Sequence, residues 1–166
     1  GATTPNIVNR NINKVAITDL DDAPVVNGVR VPTIAAATDG GVPVIKDDGN
    51  IWDITFSTDA VSQVNFLKDG TIVCQPSSSV SSGVFIEPLP TADVARGASS
   101  ASTAEKYLIQ SLAAGWTGEV PVYLGDGASG ADGYHVIAGD SIIHGSNASL
   151  SILKRNPATP ASGMVA

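Results

Sequence analysis

Val25-Val26-Asn27-Gly28-Val29-Arg30-Val31 is the stretch on which the fold class turns. Both central positions of a type I′ turn need positive φ, which Asn and Gly accept most readily, and β-branched residues flank them here. A tight two-residue hairpin is therefore predicted. Just upstream, residues 13–19 alternate, with Val15 and Ile17 on one face of a strand. Downstream, Asp47-Asp48-Gly49-Asn50 separates Val42–Ile45 from Ile51–Phe56, where Trp52, Ile54 and Phe56 share a face and Asp53 and Thr55 point the other way. Lys68-Asp69-Gly70 repeats the design between residues 61–67 and 71–75. Three hairpins are thus expected before residue 76. Thr33-Ile34-Ala35-Ala36-Ala37 is read as a weakly protected strand edge.

Beyond that point the pattern changes. Residues 76–83 are Ser-rich and read as a loop between two halves. Ser102-Thr103-Ala104-Glu105 has capping-box spacing, Tyr107, Leu108 and Leu112 follow at helical intervals, and Gly115 stands where a helix would end. One short helix is expected over 103–114. Strands are then expected at 119–124, 134–138, 141–144 and 148–153, before a Pro-rich tail at 156–166 without regular structure. The reading is mainly β: an antiparallel sandwich or open barrel built from hairpins, since a parallel α/β fold would need several helices. Its divisions are a hairpin-rich half, 1–76, a second β half, 83–155, and the tail; 1–155 as a single domain is the alternative.

Composition narrows the function. The chain has 166 residues, 43% hydrophobic and 15% charged, with a formal charge of −7. That balance supplies no basic stripe for a phosphate backbone, so no nucleic-acid partner is expected. No apolar run approaches the roughly 18 residues of a spanning helix, and the first residues lack the basic and apolar regions of a signal peptide. Neither membrane insertion nor a leader is expected. Cys74 is the single cysteine and sits in a strand-like run, where a thiol acts as a small apolar group. No dinucleotide or P-loop spacing occurs, and the two histidines, His135 and His144, have no metal-ligand partners at suitable spacing. The expectation is no cofactor and no metal.

Three groups of residues carry possible chemistry. Residues 136–147, with Gly139-Asp140-Ser141 at their centre, resemble the first block of the SGNH hydrolases. That resemblance would make Ser141 the nucleophile of an ester hydrolase and its main-chain N–H part of an oxyanion hole. The family's partner Asp-x-x-His is absent, because residues 142–166 contain no Asp or Glu, and His144 lies three residues on, across the strand. The run reads instead as a strand and tight turn, with no catalytic residues. Residues 19–22 and 126–133 hold acidic clusters without EF-hand spacing, and so read as solvated turns. Trp116, Tyr123 and Tyr134, with Asp126 and Asp132, place aromatic faces and carboxylates near Gly-rich turns, a combination suited to sugar rings and hydroxyls.

Low charge, abundant Ser, Thr, Ala, Gly and Asn, Asp-Gly hairpins and a Pro-bearing tail together resemble the fibre, spike and decoration proteins of tailed bacteriophages. That resemblance implies a non-enzymatic structural and receptor-binding module on a virion or cell surface, a homo-oligomer (a trimer), and a host-surface glycan as ligand. A carbohydrate-binding accessory domain of a larger secreted enzyme is the alternative, and the Ser141 hydrolase the third. Few charges are available to cover a monomer's surface, which independently favours association.

Overall fold

The computed structural model describes residues 7–56, 60–76, 83–96, 106–109, 134–138, 141–145, 150–155 and 164–165. In chain order its strands are β1 (Ile12–Thr18), β2 (Val25–Val26), β3 (Val29–Arg30), β4 (Thr33–Thr38) and β5 (Val42–Ile45). Then come β6 (Ile51–Phe56), β7 (Val61–Phe66), β8 (Ile72–Pro76), β9 (Gly83–Glu87) and β10 (Val94–Arg96). The last are β11 (Lys106–Ile109), β12 (Tyr134–Ala138), β13 (Ser141–Gly145), β14 (Leu150–Arg155) and β15 (Met164–Val165). The molecule is mainly β, in sheets ordered β1-β4-β5-β6-β10, β11-β9-β8-β7, β12-β13-β14-β15 and β2-β3. Every pairing is antiparallel except β6 with β10.

All three expected hairpins are present. Asn27 and Gly28 have φ of 52° and 81°, the pair of positive values that a type I′ turn requires. The other two turns share one design. Lys46 N–H donates to Asn50 O and Leu67 N–H to Thr71 O, with Gly49 and Gly70 each at φ 83°. In each, the aspartate before the glycine accepts the N–H of the residue after it, Asp48 from Asn50 (2.9 Å) and Asp69 from Thr71 (3.1 Å). The Asp-Gly spelling thus supplies both the left-handed residue and the side-chain acceptor that close a three-residue hairpin loop.

One buried core joins the first two sheets. The first contributes Ala35, Ala37, Val42, Val44, Ile54 and Phe56; the second contributes Val61, Val64, Phe66, Ile72, Cys74 and Phe85. Strand alternation puts these on one face of each sheet. Phe56 and Phe85 meet edge to face across the core with centroids 5.1 Å apart. The Arg96 guanidinium also bridges the sheets, donating from Nε to Glu87 Oε1 (2.9 Å) and from Nη2 to Oε2 (2.5 Å). β1 is tied to β7 by Asn13 Nδ2 to Val61 O (2.9 Å) and Lys14 Nζ to Gln63 Oε1 (2.8 Å). β12 of the third sheet also lies close to β7.

Four features depart from the sequence reading. Residues 106–109, inside the expected helix 103–114, are strand β11, paired rung for rung with β9 from Lys106↔Ile86 to Ile109↔Gly83. The rest of that segment lies outside the described residues. Tyr107-Leu108-Ile109 suits a strand as well as a helix face, and a helix of about a dozen residues is marginal without a partner, so available ladder bonds decide. Residues 33–37 are not an edge, because β4 lies between β1 and β5. Their small side chains are buried as an interior strand requires, with Ala35 and Ala37 at 0% exposure. The tail is not wholly irregular, since β15 pairs with the end of β14. β9 and β10 were not anticipated, although Val84-Phe85-Ile86 is a short apolar run.

Candidate functional site

The most distinctive surface is the β2–β3 hairpin, an arm inserted between β1 and β4. Val26 faces Val29 across it and Val25 faces Arg30, so one pair lies on each side of the ribbon. Val25, Val26 and Val29 are 61%, 57% and 69% exposed. The arm pairs with no other described strand. A two-stranded ribbon is marginal by itself, and this one is braced at its root. Arg30 Nη1 donates to the carbonyls of Leu20 (3.0 Å) and Asp21, Ala23 N–H donates to Leu20 O (3.1 Å), and Val31 N–H to Pro24 O (2.8 Å). Ala23 is buried beneath. The arm is thereby presented in a set direction with its valines in water.

A groove adjoins the root. It has a volume of about 360 Å³ and is lined by Ala16, Ile17 and Thr18 of β1 and by Asn65, Phe66, Leu67 and Lys68 at the end of β7. Ile17 on its wall is 64% exposed. Leu20 lies over the β7–β8 turn, where a Cβ on Gly70 would come within 2.6 Å of its Cδ2. Arm root and groove are thus neighbours at one end of the molecule. Asp19, Asp21 and Asp22 are exposed around the root and Lys68 at the groove rim.

Ionisable groups elsewhere are engaged in structure. Burial pushes the Cys74 thiol well up, the negative charge of Glu87 adds to this, and Arg96 opposes it. A thiol so held has almost no thiolate at neutral pH and is a poor nucleophile. Asp39 is held below the usual range by the Asn11 and Asn13 amides, and Asp48 by the N–H and amide of Asn50. Asp53 is raised by desolvation and then by Asp93, with the Val8 N–H opposing. Among the described residues no group of three His, Cys, Asp or Glu side chains is placed to hold a metal ion.

The residues singled out for sugar contact are not brought together on view. Trp116, Tyr123, Asp126 and Asp132 lie outside the described residues, as do Gly139 and Asp140, and Tyr134 opens β12 opposite Gly145. Ser141 begins β13, paired with Ala138 and Lys154, and His144 stands on the same strand opposite His135 and Ser151. The exposed valines were legible only as strand formers. Their signal was Val25-Val26 itself: adjacent apolar residues point to opposite faces, and a two-residue strand cannot bury both. No family model, curated protein or solved structure matches this chain.

Proposed function

We propose that this chain is a structural and receptor-binding module of a virion or surface fibre, working as a homo-oligomer and without chemistry of its own. The observation that carries this reading is the braced arm. Aliphatic side chains more than half exposed on a rigid projection, next to an open groove with an exposed Ile17, mark a surface built for contact with another macromolecule. In the same reading the first two sheets are the layers of a sandwich that share one core. A trimer and a host-surface glycan follow from the resemblance to phage fibre and spike proteins. No helix among the described residues is long and apolar enough to cross a membrane.

Light scattering on the purified chain, binding to a panel of bacterial surface polysaccharides, and turnover of nitrophenyl and acetylated-sugar esters test the proposal together. The expected result is a mass of several chains, glycan retention and no turnover. A single-chain mass with glycan retention would move the reading to an accessory carbohydrate-binding domain. Ester turnover that disappears in Ser141→Ala would replace it with the hydrolase.

A further inference from the structure

We infer that the partner of the β2–β3 arm is a second copy of this chain, whose β1–β7 groove receives it. The inference rests on the oligomeric part of the proposed function and names the surfaces that make the contact.

Three observations support this occupant. First, the shapes and chemistries correspond. The arm offers Val26 and Val29 as a cross-strand pair on one face, and the groove offers Ile17, Phe66 and Leu67. Second, the charges correspond. Exposed Asp21 and Asp22 flank the arm's root, and exposed Lys68 stands on the groove rim, so a seated arm brings carboxylates towards an ammonium group.

Third, the area is sufficient. Taking roughly 100 Å² per aliphatic side chain, the three valines and Ile17 leave on the order of 250 Å² of apolar surface in water. A seat that covers a similar area on the groove buries about 500 Å², and in a closed assembly every chain takes part in two seats. A closed dimer or trimer therefore buries roughly 1,000–1,500 Å² in all, which reaches the lower range of specific interfaces. The chain's own arm does not fill its own groove, because its valines stay more than half exposed. Arm and groove at the same end of the molecule favour reciprocal, closing contacts over an open filament.

The test uses the full chain. Val26→Asp with Val29→Asp alters side chains that are 57% and 69% exposed, so the fold, checked by circular dichroism, is expected to survive. Wild type is expected to sediment as more than one chain at high concentration and the double variant as a single chain. Lys68→Glu should weaken association about tenfold, and adding Asp21→Lys with Asp22→Lys should restore it. For direct placement, a Val29→Cys chain is mixed with a Lys68→Cys chain carrying a mass tag. Oxidation should yield the mixed disulfide in preference to either homodimer; Cys74, at 0% exposure, is not expected to compete. A wild type that stays monomeric, or a Val26→Asp, Val29→Asp variant that associates normally, overturns the inference. So does preferential Val29→Cys homodimer formation, which would indicate arm-to-arm pairing. Glycan binding that survives in a monomeric variant would leave the receptor-binding part of the function standing while the assembly contact is judged separately.

Discussion

Removing the Arg96 guanidinium is expected to be among the most damaging single changes to this fold. Glu87 is 1% exposed and the Arg96 side chain 10%, and their two parallel hydrogen bonds join a strand of each sheet through the core. In Arg96→Met the carboxylate stays buried without its bidentate partner. Breaking a buried pair from one side costs about 3–5 kcal/mol, a large part of the 5–15 kcal/mol that usually holds a domain together. For a chain of this size that corresponds to a fall in Tm of roughly 6–20 °C. Glu87→Leu should be similarly damaging, since it strands the guanidinium. The double variant should lose less than either single, because two apolar side chains can fill the site without an unpaired charge. Urea unfolding followed by circular dichroism at pH 7, repeated at high salt, measures the cycle. Little dependence on salt is expected for charges so far from solvent. Single-variant losses below about 1 kcal/mol, or losses that simply add in the double variant, would refute the claim that this pair joins the sheets.

Three other outcomes follow from the same coordinates. Gly41 has φ 134°, and a Cβ there would lie 2.3 Å from the Ile54 carbonyl oxygen; Gly41→Ala should cost at least about 2 kcal/mol in denaturant unfolding. Asp53→Asn should raise stability at pH 7 by a few tenths to about 1 kcal/mol, because the wild-type carboxylate is ionised there against desolvation and Asp93. A raised folded pKa means stability that is lost as pH rises through it, so the gain should vanish towards pH 3, where wild-type Asp53 is neutral; a gain that persists at pH 3 would remove ionisation as its cause. Cys74 should resist alkylation in the native state at pH 7–8 and react in urea. Its raised pKa likewise makes the native state lose stability as pH climbs above about 8.5, the usual thiol range.

Local chemistry alone determined the hairpins. Asn27-Gly28, Asp48-Gly49 and Asp69-Gly70 each specify a turn through one or two residues in positive φ and, in the latter two, a carboxylate acceptor two residues from its donor. Such interactions involve only near neighbours, so the chain's spelling is enough. Alternation likewise located β5, β6 and β12, and marked Ile54 and Phe56 as sharing one face. What depends on distant partners could not be read in this way. Residues 106–109 are strand because β9 supplies a ladder, Ala35 is interior because β1 and β5 flank it, and Arg96 meets Glu87 because β10 runs parallel to β6. The exposed arm belongs to the same class. Val25, Val26 and Val29 spell a core strand, and only the packing of the sheets, which share one core and leave this ribbon outside it, turns them into surface. Burial is a property of the whole arrangement, and residue type sets only how strongly a site is suited to it.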